Sequence, residues 1–185
     1  AYVDVGLHVN ITDFSPTNLA QIPELVERGA PSFKIFTAYG EAGMQLGDEA
    51  IVRVADAVGG SGALLMLHAE NGDAAAYLGE RLRAQGHRDA TWHEPSRPDV
   101  LEAEAIHRVA TLAHLADCPL YVVHLSSARG LDVIRRFRAE GWLIHTETCP
   151  QYLLLDRSRH EGPDGHRFIT CPPLRERRNL QVLTE

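Results

Sequence analysis

Ser32-Phe33-Lys34-Ile35-Phe36 is a short apolar run broken by one lysine and bounded by Pro31 and the polar-glycine stretch after Ala38. Leu64-Leu65-Met66-Leu67-His68 and Tyr121-Val122-Val123-His124 repeat the form, each closing on a histidine. Short continuous apolar runs suit strands buried on both faces, as in a parallel sheet. Each run also carries one residue able to bind a metal. A lysine and two histidines leaving consecutive strands of an α/β chain point to a metal centre on one rim of a barrel.

Between these runs the pattern turns helical. The sequence predicts strands over 2–9, 33–38, 63–68, 120–125 and 142–148. It predicts helices over 18–28, 48–57, 73–85, 100–115 and 127–140. Gly29, Gly86 and Gly141 stand where helix C-caps fall, and Asp48 and Asp99 where N-caps fall. Gly59-Gly60-Ser61-Gly62 is read as a helix breaker. The tail from Asp156 to Glu185 reads as loop-rich. Repeated βα units imply an α/β layer architecture. Five strands are too few for a closed (β/α)₈ barrel, which needs eight strands and typically about 250 residues. The expectation is either an open five-stranded sheet or part of a barrel.

The chain has 185 residues, 44% of them hydrophobic and 23% charged, within the range of one soluble domain. Its net charge of −7 and the lack of a basic stripe argue against nucleic acid or an anionic membrane surface as partner. No apolar run approaches the roughly 20 residues that span a bilayer. No signal peptide opens the chain. Its start in an apolar segment without an initiator methionine reads as an internal piece of a longer protein. Cys118, Cys149 and Cys171 form no CxxC and are odd in number, which predicts a reducing, cytoplasmic compartment.

Lys34 is the most unusual residue. Lysine is rarely buried without a partner, and burial lowers the pKa of an amine by penalising its charged form. A neutral amine can add carbon dioxide to give a carbamate, an anionic oxygen ligand able to bridge two divalent ions. The alternative is a strand-end lysine whose stem lies on apolar surface while its head reaches water. His68 and His124 each stand where an apolar strand stops and polar residues begin, the rim where barrel active sites lie. Each could instead be a hydrogen-bonded loop histidine. Neutral imidazole and carboxylate-like oxygens suit zinc or manganese. His8 and His145 read as core or rim positions, and the remaining histidines share no spacing. No HExxH, GxGxxG, P-loop or GxSxG elbow occurs.

These stretches resemble known motifs. Ser32 to Tyr39 is similar to the carboxylated-lysine strand of the dihydropyrimidinase and D-hydantoinase family. His68-Ala69-Glu70-Asn71-Gly72-Asp73 and Tyr121 to Ser127 are similar to its next two histidine motifs. Glu147 to Leu153 and Cys171-Pro172-Pro173-Leu174-Arg175-Glu176 are similar to further family segments, in the family's order. The resemblance implies a cyclic amidohydrolase opening dihydropyrimidines or 5-substituted hydantoins. It implies a (β/α)₈ barrel of which residues 1–185 are one partial domain, about strands three to seven.

In that family's terms, carbamylated Lys34 would bridge two zinc (or other divalent) ions, and His68 and His124 would bind the more exposed one. A metal-bridging hydroxide would be the nucleophile. Tyr39 would donate to the developing oxyanion. The segment at Cys171 would contact a cyclic amide or imide through its main chain; there a serine is common. The first-strand His-x-His pair and the strand-eight aspartate would lie outside the chain, so the 185 residues alone are expected to be inactive. The resemblance further implies a homo-oligomer, a tetramer or dimer. An allantoinase-like amidohydrolase and a non-catalytic scaffold paralogue of the same fold stay open as alternatives.

Overall fold

A computed structural model describes residues 2–185. Its five strands are β1 (Val9–Asn10), β2 (Ser32–Phe36), β3 (Leu64–His68), β4 (Leu120–Val122) and β5 (Ile144–Thr146). All are parallel and lie side by side in chain order. The order never reverses, so the sheet has no switch point of the doubly wound kind. The helices are α1 (Pro16–Ala20), α2 (Ile22–Glu27), α3 (Asp48–Gly60), α4 (Gly72–Ala84), α5 (His93–Ser96), α6 (Asp99–Leu115), α7 (Ala128–Ala139), α8 (Pro150–Leu154) and α9 (Arg177–Leu183).

One face of the sheet makes the core. Phe33, Ile35, Leu65, Leu67, Leu120, Val122 and Ile144 alternate along their strands and pack in one apolar cluster with the long helices. In α3 the buried residues Ile51, Val54, Ala55 and Val58 fall at helical spacing, as do Ala105, Ile106, Val109, Ala110 and Ala113 in α6. The opposite face carries Asn10, Lys34, Met66, Tyr121 and His145 in a single register row. Asn10, Lys34 and His145 are polar enough to want water, and Asn10 and His145 are exposed.

Three expectations need correction. Residues 2–8 are not a strand: only Val9 and Asn10 pair with β2, and the preceding segment is exposed. The single helix expected over 18–28 is two, α1 and α2, because Pro23 has no N–H to bond back across Gln21. Gly59 and Gly60 do not break α3, which runs through both. A Cβ at Gly59 would lie 3.1 Å from the carbonyl of Ala116 and from Cys118, so this glycine lets α3 approach the turn after α6. The helix ends at Gly60 with Ser61 as its C-cap, and Gly62 just beyond takes a φ of 68° that suits glycine. The tail holds α9 as well as loops.

Candidate metal and proton-donor site

Lys34 is the middle residue of β2, opposite Met66, and is not at a strand end. It is half-buried, with its Nζ 5.1 Å from the centroid of the Phe36 ring. Burial lowers its pKa, and the charge of Glu147 pulls the other way. His68 is the last residue of β3, while His124 lies two residues beyond β4. Thr37 clasps the β3 end: its Oγ1 donates to the His68 carbonyl at 3.0 Å and accepts from the Glu70 N–H at 3.2 Å.

The two histidines meet. His68 Nδ1 and His124 Nε2 are 3.0 Å apart. On the far side of its ring, His68 Nε2 is 3.0 Å from Glu70 Oε2. An ionised carboxylate only accepts, so Nε2 carries the hydrogen and Nδ1 presents its lone pair towards His124. Burial first, then the His68 bond and Arg97, set the Glu70 carboxyl: desolvation pushes its pKa up, and the two cationic or donor neighbours outweigh it and hold it below the usual range. Burial, His68 and Lys34 together push His124 down to about 3, so its imidazole is neutral and fit to bind a cation.

Tyr39 packs its ring 4.8 Å from the His68 ring centroid. Burial, and the neighbouring Cys171 and Glu70, push its pKa upward, so it remains a protonated phenol that can donate. The backbone at Tyr39 and at His124 is left-handed, with φ of 70° and 43°. Such non-glycine conformations cost on the order of 1–3 kcal/mol each and persist where the surroundings over-determine them. Cys171 neighbours Tyr39, and its Sγ is 4.0 Å from His93 Nε2. His93 Nε2 donates to the Thr170 carbonyl at 2.8 Å, and Tyr152 donates to the Pro172 carbonyl at 2.6 Å. The 170–172 segment is thus bolted at both ends beside Tyr39.

The donor set fits a divalent ion in part. Two tetrahedral nitrogen ligands at about 2.0–2.1 Å hold their nitrogens roughly 3.3 Å apart, so the histidine pair needs to open by only a few tenths of an ångström. Among the described residues no group of three or more His, Cys, Asp or Glu is placed to hold a metal.

Of the residues singled out from the sequence, Tyr39, His68, His124 and Cys171 lie together at the carboxyl end of the sheet, while Lys34 stands in the middle of β2, near enough for its charge to act on His124. Sequence reasoning missed Glu70, Arg97, Glu102 and Arg175. Glu102 is buried in α6 and accepts from Ser126 N at 3.0 Å, from Ser126 Oγ at 2.9 Å and from Ser127 Oγ. Arg175 is buried too, and its Nε donates to the same Ser126 Oγ at 3.0 Å. An i+2 carboxylate after His68 was the available signal for Glu70. Nothing local marked the others.

The parallel α/β sheet sets facing imidazoles and a phenol at its carboxyl end, the side where active sites of parallel α/β folds lie. No family model matches the chain. Individual relatives do. A D-hydantoinase of Geobacillus stearothermophilus is 40% identical over 186 residues, spanning 99% of this chain and 39% of the relative. A D-phenylhydantoinase of Escherichia coli is 40% identical over 184 residues, spanning 99% and 39%. Among solved structures, a dihydropyrimidinase from Brevibacillus agri superposes with a TM-score of 0.96 at 39% identity, over 99% of this chain and 40% of that one. An L-hydantoinase from Arthrobacter aurescens gives a TM-score of 0.87 at 29% identity, over 98% and 40%. The chain belongs to the D-hydantoinase and dihydropyrimidinase family, and it spans about 40% of the length of the relatives it matches.

Proposed function

We propose that residues 1–185 are one partial (β/α)₈-barrel domain, about strands three to seven, of a binuclear zinc hydrolase that opens a cyclic amide. The observation that carries this is His68 Nδ1 facing His124 Nε2 at 3.0 Å with Tyr39 alongside. His68 and His124 would hold a divalent ion, and Lys34, as a carbamate, would supply the further anionic oxygen ligands that a metal pair needs. When bound, the metal pair lowers the pKa of water and polarises an amide carbonyl.

The chain's own residues do the rest. Glu70 holds His68 in the tautomer that presents Nδ1. Tyr39 donates its phenolic proton to the oxygen on which charge develops. The 170–172 main chain, pinned by His93 and Tyr152, positions the cyclic imide. Dihydropyrimidines and 5-substituted hydantoins are the substrates of choice, in keeping with the relatives.

The test is metal content and hydrolysis of dihydrouracil, 5-substituted hydantoins and allantoin by the full-length protein that contains this chain. About two zinc ions per chain are expected, with hydantoin or dihydrouracil opened and allantoin left intact. Allantoin as the preferred substrate would move the protein to the allantoinase side. A metal-free, inactive protein would make it a scaffold. The isolated 185-residue chain is expected to show no turnover, because one histidine pair and a bridge are half a site.

A further inference from the structure

Arg97 lies between α5 and α6 and touches three separate parts of the molecule. Its Nη1 donates to Glu70 Oε2 at 2.9 Å, the same oxygen that holds His68 Nε2. Its guanidinium carbon is 5.7 Å from the centroid of the Tyr39 ring. Its main-chain carbonyl accepts from Arg175 Nη1, and Arg175 in turn holds Ser126, two residues after His124.

Glu70 is 1% exposed, and its second oxygen, Oε1, has no hydrogen-bond partner among the described residues. The carboxylate therefore hangs from Oε2 alone, between one donor that is His68 and one that is Arg97. A buried carboxylate left with a single bond is costly, and it would turn to find another donor. Removing Arg97 frees Glu70, and freeing Glu70 releases the His68 ring. The same guanidinium also braces the face of Tyr39. Lysine could keep the ion pair but not the planar contact, because its charge is a point on a flexible stem.

We propose that Arg97 is a positioning residue that sets His68, through Glu70, and Tyr39 relative to one another. The inference rests on His68 as a metal ligand and Tyr39 as the proton donor. Two separable defects follow. Losing the Glu70 contact weakens metal retention, and losing the Tyr39 contact slows turnover.

The test uses the full-length protein with Arg97→Met, Arg97→Lys and His68→Ala. Zinc retention is read against a graded chelator, and kcat and KM are measured separately. Arg97→Met should lose zinc at about 10–100-fold lower chelator, the usual size of an outer-shell loss. Arg97→Lys should restore zinc retention towards wild type while kcat stays at least tenfold down and KM nearly unchanged. Nitrogen-15 spectra of the wild-type imidazoles should show His68 protonated on Nε2.

Zinc retention and kcat of Arg97→Met within twofold of wild type would overturn the proposal. So would equal behaviour of the lysine and methionine variants, or His68 protonated on Nδ1. Should Arg97→Met fail to fold, the lysine variant and the wild-type spectrum decide alone. His68→Ala that keeps all its zinc sinks the underlying metal reading. His68→Ala that loses zinc, beside an unaffected Arg97→Met, sinks this inference only.

Discussion

His68 Nδ1 and His124 Nε2 face each other at 3.0 Å across 56 residues of chain. The hydrogen between them comes from His124, because Glu70 already claims the hydrogen of His68. Substituting either histidine with alanine in the full-length protein should remove about one zinc per chain and cut kcat by at least about 10³. Elemental analysis beside steady-state kinetics checks it. Full zinc in either variant would contradict the pairing.

Gly72 opens α4 where the chain passes β2. A Cβ there would lie 2.7 Å from the Ala38 Cα and closer still to the Gln45 side chain. Backbone cannot step aside as a side chain can, so Gly72→Ala should cost about 1–3 kcal/mol. Because Ala38 precedes Tyr39, the shift should also slow turnover. Urea denaturation and kcat measured on one preparation test both.

Glu102 is fully buried, and desolvation raises its pKa despite Arg175 and the two serine hydroxyls. The folded protein therefore holds this proton to higher pH than the unfolded chain does. Stability contributed by Glu102 is complete below the ordinary carboxylate pKa and is lost as pH rises through the raised folded value. Glu102→Gln keeps the shape and removes the proton equilibrium. Its stability relative to wild type should rise with pH from about 4.5 upward. A wild-type-minus-variant difference flat with pH would refute the shift.

Arg175→Met removes a buried cation that bonds Ser126 and the Arg97 carbonyl. It also removes the 3.9 Å pairing with Glu94 and the positive field that lowers the Glu102 pKa, so a loss of about 1–3 kcal/mol is expected from the donors and acceptors left unsatisfied. Amide hydrogen exchange should accelerate first at Ser126, whose N–H donates to Glu102, and at Gly130, whose N–H donates to Ser127 Oγ.

Much of the layout was legible because βα alternation and apolar runs are local signals. Four of the five strands overlap the apolar runs that predicted them, and the rim histidines were visible as the last residues of those runs. The strand expected over 2–9 failed because apolar residues make a strand only when a neighbour pairs them, and β2 reaches only Val9 and Asn10. Apolar periodicity runs straight across 18–28 and masks the break at Gln21, which only the missing N–H of Pro23 marks. Gly59 misled for the opposite reason: its use is tertiary, a close approach to Cys118. Arg97, Glu102 and Arg175 were invisible because their partners lie 24 to 78 residues away in sequence.

Cys118 is 5% exposed, and burial pushes its thiol up to about 11. Iodoacetamide at pH 7.5 should leave it unmodified in the folded protein while Cys149 and Cys171 react in part. Peptide mass spectrometry reads the order, and early labelling of Cys118 would mean that the α3–α6 contact opens readily.

The left-handed backbones at Tyr39 and His124 set stability against use at those two positions. Glycine would relieve the torsion at either one and lose the ring that the site needs. A selection scheme that scores only thermal tolerance should therefore enrich glycine at 39 and 124. A variant made hardier that way would have discarded its chemistry first, and recovering it would require re-entering a conformation that ordinary residues avoid.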